Sequence, residues 1–372
     1  MALQVPEDMG RETMSQSLPK PLFDGLKYML LDEHYIPELP ESWRSDYQHI
    51  KRFLLSYQNN ENTFNSYRRD MERFLQWCYL RAGKSVLDVG RSDFEHFLAF
   101  CQKPLKSWIG LTVERRFTEK SGIKTPNPKW RPFVVKQSKT DTKQGKSLDK
   151  SNYQLSERGF RALFAIISSF YHYLIQEDIT QVNPVLLIRQ KNQYYQKRQS
   201  TVIRRLSELQ WGYVIETAEL MAEEDPSHHE RTLFIMNLLY GLYLRISELV
   251  ETARWKPVMG DLHRDSEGRW WFYTVGKGNK SRDVSVSNDV LKMFKRYRKH
   301  LQLASLPSPD EKTPLLARHH DGNSITSTRY IRSIVQVCFD RAVGRLRDDN
   351  QVEEAQQLMS VTVHWLRHTG IS

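Results

Sequence analysis

Residues 241–250 read GLYLRISELV, with one arginine, Arg245, set between Leu244 and Ile246 in an otherwise apolar run. A guanidinium is rarely taken out of water without a partner. Glu248 follows three residues later, which suits a structural ion pair within one helical turn. The other reading is a planar fork of donors aimed at a phosphate. Apolar spacing around this arginine predicts one or two helices over Arg231–Ala253. Ser207, followed by Glu208 and Glu216, starts the helix before them, which ends near Glu224.

Downstream the period changes from helical to alternating. Arg269–Val275 and Arg282–Val286 are rich in valine, threonine and aromatic residues, with Gly276, Gly278 and Asn279 between them, the pattern of a β-hairpin. Its turn, GKGNKSR, carries Lys277, Lys280 and Arg282. Taken alone Lys277 is an exposed turn lysine, but a hairpin tip also carries an ammonium into a groove, where it can protonate a leaving oxygen. Helices return at Asn288–Leu301 and Thr326–Arg345. Near the end, HWLRHTG places His364 and Arg367 three residues apart on one helix face, where both reach one phosphate.

Upstream lies a second patterned region. Asn62 or Thr63 caps a helix that buries Phe64, Tyr67, Met71, Phe74, Leu75 and Cys78 at i, i+3, i+4 spacing. Ser92 caps another and Ser156 a longer one, and Asn183-Pro184 marks a turn. These segments predict a helical bundle over 45–190, preceded by an N-terminal extension at 1–44. Between Lys103 and Lys150 the sequence carries 13 Lys/Arg against four acids, with little helical or strand period, and reads as a basic insertion. Its candidate phosphate contacts are Lys103, Lys106, Arg115, Arg116, Lys124, Lys129, Arg131 and Lys136. A basic run without acids at 191–205, including Lys197, Arg198, Arg204 and Arg205, reads as an interdomain linker before a second domain at 206–372. The fold class is mainly α with a small antiparallel β-sheet.

The formal net charge of +11 and pI of about 9.4 favour a polyanionic partner. The most apolar stretch, Leu163–Ile175, is interrupted by two serines and a histidine and is too short to span a bilayer, so no membrane partner is expected. The N-terminus has no secretory pattern. The three cysteines, Cys78, Cys101 and Cys338, are far apart, which argues for a reducing compartment and against a disulfide framework or zinc site. The pairs His228-His229 and His319-His320 read as loop residues.

The ordered triple G-x-x-L-R-I-S-E-L, then G-K-G-N-K-x-R, then H-x-L-R-H-T resembles the catalytic domain of the tyrosine recombinase (phage integrase) family. The spacing, 32 residues from Arg245 to Lys277 and 87 on to His364, fits that family's range. NTFNSYRRDMERFLQWC and RALFAIISSFYHYLIQEDITQVNP are similar to its helical core-binding domain. The Lys103–Lys150 insertion and the first 40 or so residues have no counterpart in the resemblance. It implies a two-domain clamp on double-stranded DNA, in which a tyrosine hydroxyl forms a 3′-phosphotyrosyl bond and no ATP, metal or other cofactor is needed. Arg245 and Arg367 would hold the non-bridging oxygens, Lys277 would protonate the 5′-oxygen, and His364 would assist proton transfer from the nucleophile. Glu248 would support Arg245, and Asp261 has no assigned role. The resemblance also implies self-association on a DNA core site, with a tetramer as the full assembly, accessory DNA-bending or directionality proteins, a role in moving a mobile element, and a cytoplasmic, nucleoid-associated location.

The family pattern continues beyond H-x-x-R with a G-H or G-W element and then the nucleophilic tyrosine. The 372-residue sequence ends five residues after Arg367. A polypeptide of these residues alone is therefore expected to bind DNA without cleaving it. Two other readings fit the same motifs: a type IB topoisomerase-like enzyme, separable by relaxation of supercoiled plasmid without target sites, and a non-catalytic site-specific DNA-binding protein with a recombinase fold.

Overall fold

The computed structural model describes residues 18–31, 37–121, 123–137, 141–142, 145, 147–189, 204–276 and 278–371. Lys277 and most of the 191–205 segment, including Lys197 and Arg198, lie outside the described residues. The chain divides into two compact units, 1–199 and 200–372.

The first unit is built from helices α1 (Leu26–Leu30), α2 (Glu41–Leu55), α3 (Glu61–Trp77), α4 (Arg91–Gln102), α5 (Glu157–Gln176) and α6 (Leu186–Arg189). Asn60, not Asn62 or Thr63, caps α3 by accepting from the Thr63 N–H at 3.1 Å. Gly90 rather than Ser92 precedes α4, and Asp93 reaches back to the Gly90 N–H at 3.0 Å. Ser156 caps α5 as its sequence position predicts. One aromatic-rich core, including Phe53, Phe64, Phe74, Phe94, Phe164 and Phe170, joins these helices. Burying each such ring stabilises the unit by roughly 1.5–3 kcal/mol.

Two expectations for this unit are corrected. The N-terminal stretch is no mere extension but helps build the unit, because Leu22, Phe23, Leu26 and Met29 enter the same core. The Lys103–Lys150 insertion is likewise folded onto it. Its strands pair as β1 (Ile109–Gly110) with β4 (Phe133–Val134) and β2 (Phe117–Lys120) with β3 (Ile123–Pro126). Trp108, Ile109, Phe133 and Val135 are buried in the core. The weak period hides this because each strand is two to four residues long and the burial is carried by isolated large side chains.

The second unit contains α7 (Glu208–Glu224), α8 (Pro226–Gly241), α9 (Asn288–His300), α10 (Thr328–Asp348), α11 (Val352–Leu358) and α12 (Val363–Ile371). Strands β5 (Leu262–Arg264), β6 (Trp270–Val275) and β7 (Ser281–Ser285) form one antiparallel sheet in that order. The hairpin β6–β7 turns through Gly278 and Asn279, both with positive φ (78° and 59°), the left-handed backbone that glycine and asparagine tolerate. Ser207 caps α7 in a reciprocal box with Gln210. His228 and His229 lie in the first turn of α8 rather than in a loop, and the His228 ring is 5.4 Å from that of His319. Cys78, Cys101 and Cys338 are buried thiols within the two cores.

Candidate functional site

Helix α8 ends at Gly241, where an added Cβ would collide with the Val290 side chain. Tyr243 then adopts φ +52°, reversing the chain, and Leu244 is buried. Arg245 is therefore not on a helix, contrary to the periodicity. It sits in extended backbone (φ −75°, ψ 145°) at the start of a single tight turn, Ile246–Glu248. Because the backbone leaves the helix here, the guanidinium is delivered from a loop end, with its side chain 40% exposed.

Glu248 organises the site. Its side chain is fully buried, and both oxygens are saturated. Oε2 accepts the Arg245 backbone N–H at 2.8 Å and Arg282 Nη2 at 2.8 Å; Oε1 accepts Arg245 Nη1 at 3.0 Å and Arg282 Nη1 at 2.8 Å. The Glu248 carbonyl accepts the Trp255 indole N–H at 2.9 Å. Burial alone would raise this carboxyl, but the hydrogen bonds and charges of Arg282 and Arg245 outweigh it and hold Glu248 below its ordinary range. Gly276 closes the arrangement from the hairpin. A Cβ there would lie 2.8 Å from Glu248 Oε1 and 3.1 Å from Arg245 Nη1, so only glycine lets the backbone come this close.

Helix α12 brings the third element. Leu366 is buried in the core of this unit, the Leu206 N–H donates to the Thr369 hydroxyl at 2.9 Å, and Gly370 lies against Tyr240 and Tyr243. This anchoring presents His364 and Arg367. Burial lowers the Arg367 pKa, Arg245 and Arg282 lower it further, and Glu248 pulls the other way. Arg367 Nη1 is buried without a hydrogen-bond partner among the described residues. Burial, His368, Arg367, Arg245 and Arg204 together hold His364 below the usual histidine range. Arg245 and Arg282 thus use up the Glu248 acceptors, Arg367 feels the charge of all three, and His364 lies among Arg367, Arg245 and His368. The excess positive charge and free N–H donors suit an oxyanion with several oxygens, such as a phosphodiester.

Of the predicted residues, the structure groups Arg245, Glu248, His364 and Arg367. It also draws in Arg282, which the sequence offers only as a DNA contact. Its bidentate use on Glu248 is unreadable there because the partner lies 34 residues away. Lys280, Arg204 and Arg205 are exposed on the same unit. Asp261 is a structural cap, accepting the Val258 N–H at 2.7 Å.

In the first unit, Arg116 and Lys124 are corrected from free phosphate contacts to structural cations. Arg116 pairs with the buried Glu72 and lies over the Trp130 ring, and Lys124 pairs with Asp24 at 2.6 Å. Lys103, Lys106, Arg115, Lys129 and Lys136 are exposed, and Arg131 donates only to the Pro128 and Trp130 carbonyls, leaving its charge unpaired among the described residues. A groove of about 410 Å³ between α3 and the insertion is lined by Arg68, Arg69, Arg73, Arg116, Arg131 and Lys136, with Asp70 and Glu114 as its acids. Burial and the neighbouring Arg116 bring Arg68 down to about 10, a sign of crowded cations.

No family model matches the chain. Its fold is that of the site-specific recombinase XerH bound to a palindromic difH substrate, with a TM-score of 0.52 at 11% identity, covering 96% of this chain and 86% of that one. By sequence it is 28% identical over 206 residues to tyrosine recombinase XerC of Staphylococcus carnosus (strain TM300), spanning 55% of this chain and 57% of that protein. It is 23% identical over 278 residues to tyrosine recombinase XerC of Pediococcus pentosaceus, spanning 70% of this chain and 79% of the relative. The first match thus covers little more than half of the relative's length. The chain is thus similar to tyrosine recombinases in sequence, and to the XerH recombinase in fold.

Proposed function

We propose that the protein is a site-specific DNA recombinase that cleaves and rejoins duplex DNA through a 3′-phosphotyrosyl intermediate. The observation that carries this is the cluster of Arg245, Arg282 and Arg367 around the saturated Glu248, with Arg367 Nη1 left without a partner among the described residues. In the reaction a tyrosine oxygen attacks phosphorus, the P–O5′ bond breaks, and the phosphodiester energy is kept in the new P–O bond. Arg245 and Arg367 hold the non-bridging oxygens as charge builds. His364 takes the tyrosine proton, and Lys277 gives one to the departing 5′-oxygen. Rejoining reverses each transfer. The partners are double-stranded DNA carrying a recombination core site and further copies of the same protein, four in the complete assembly, with accessory DNA-bending or directionality proteins. The work is the movement of a mobile element in the cytoplasm; among the described residues no helix is long and apolar enough to cross a membrane. The test is covalent capture of DNA by the protein.

The charge state of His364 gives a pH prediction. With its folded pKa held below 6.5, the imidazole is neutral and able to accept a proton at pH 7. The acid limb of the single-turnover cleavage rate is expected below pH 6.5 and absent in His364→Asn. A limb that persists in that variant would remove His364 from the proton path.

The groove of the first unit gives a second. Deleting the insertion would expose the core around Trp108 and Phe133, so the informative variants are point changes. Arg131→Ala with Lys136→Ala is expected to lower the slope of log affinity against log salt by about 1.8, two phosphate contacts at ~0.9 each. An unchanged slope would leave the groove outside the DNA footprint.

A further inference from the structure

We infer that Arg282 is a positioning residue that keeps the Arg245 fork turned toward the substrate, and not a phosphate contact in its own right; this rests on the strand-cleavage reading above. A carboxylate three residues from an arginine would ordinarily take that guanidinium as a bidentate pair. Here Arg282 occupies both oxygens, each at 2.8 Å. Arg245 is left one side-chain contact, Nη1 to Oε1 at 3.0 Å, and its backbone N–H takes the other place on Oε2. The remaining Arg245 donors have no protein partner among the described residues, and its side chain is 40% exposed while that of Glu248 is buried. Arg282 thus holds Glu248 as an anchor while preventing it from becoming a sink.

The device needs the fork geometry. A lysine at 282 would supply charge to one oxygen and free the other. Its location on β7, directly opposite Thr274 of β6, fixes Arg282 through the sheet rather than through the Arg245 loop. A Cβ at Gly276 would lie 3.3 Å from Arg282 Nη1, so the hairpin backbone passes close beside the guanidinium. Removing Arg282 frees both Glu248 oxygens for Arg245, and that pair tightens at the expense of the substrate.

The test compares single-turnover cleavage at saturating DNA with duplex affinity. Arg282→Ala is expected to cut the cleavage rate about 10–100-fold while Kd changes less than about 2-fold, less than the roughly 10²–10³ of losing an oriented donor outright because Arg245 is drawn off rather than removed. Arg282→Lys should fall between. A purely structural role makes a distinct prediction, namely that adding Glu248→Gln to Arg282→Ala worsens the defect. If Arg245 is being sequestered, the same addition restores part of the rate, because a neutral amide competes less for the guanidinium. Wild-type cleavage by Arg282→Ala, or no recovery in the double variant, overturns the inference. The binding arm needs no cleavage. An unchanged salt slope in Arg282→Ala upholds the assignment to Glu248, and a fall of about 0.9 makes Arg282 a phosphate contact. Absence of cleavage by the wild-type protein would sink the recombinase reading and leave that slope to decide the role of Arg282.

Discussion

Arg245→Ala and Arg367→Ala are each expected to lower covalent strand cleavage by at least ~10³-fold while duplex affinity falls less than about 10-fold. Removing a single neutral oxyanion donor costs roughly 10²–10³ in rate, and a charged donor acting on a dianionic transition state exceeds that. Affinity is spread over many phosphate contacts, so one cation contributes little to it. The two variants should also differ in kind. Arg367 carries an unpartnered buried donor, so its loss is felt mainly in the transition state. Arg245 also contributes a contact to Glu248, so its loss disturbs the anchor as well. Near wild-type cleavage in both would remove the site assignment. A parallel collapse of affinity would make these residues general DNA contacts.

Glu248→Ala is expected to destabilise the second unit by about 3 kcal/mol, read from its urea transition, and to abolish cleavage with it. The change strips a fully buried carboxylate from two guanidiniums that it holds at 2.8–3.0 Å and leaves the charge of Arg367 unopposed nearby. Glu248→Gln keeps acceptors for the Arg245 backbone N–H and should lose less. The pH dependence follows from the direction of the shift. The folded carboxyl titrates below the ordinary value of 4.5, so its contribution is present above that pH and is lost as pH falls through the lower folded value. Wild-type stability in Glu248→Ala would mean that the arginines are held by something else.

Much of the architecture is legible in the sequence because it rests on local chemistry. Ser156 and Ser207 are caps wherever they precede an amphipathic run, and the alternation of 269–286 around Gly276, Gly278 and Asn279 leaves little but a hairpin. His364 and Arg367 share a face because a helix places residues three apart together. The failures are non-local. Arg245 reads as helical because the apolar period continues through Leu242 and Leu244, and the break is made by Tyr243 at positive φ, a conformation its side chain does not advertise. Arg116 and Lys124 read as free because their carboxylates, Glu72 and Asp24, lie 44 and 100 residues away. The same distance effect conceals Arg282, whose partner is on another element.

The decisive measurement is to incubate the protein with a radiolabelled duplex core site nicked beside the scissile phosphate, then denature it in detergent. The nick lets the small cleaved fragment diffuse away and traps the intermediate. The expected product is a protein–DNA bond that survives denaturation, joins a tyrosine to the 3′-phosphate, leaves a free 5′-hydroxyl, and disappears in Arg367→Ala. No covalent species, or a bond to the 5′ end, would contradict strand exchange through a 3′-phosphotyrosyl intermediate.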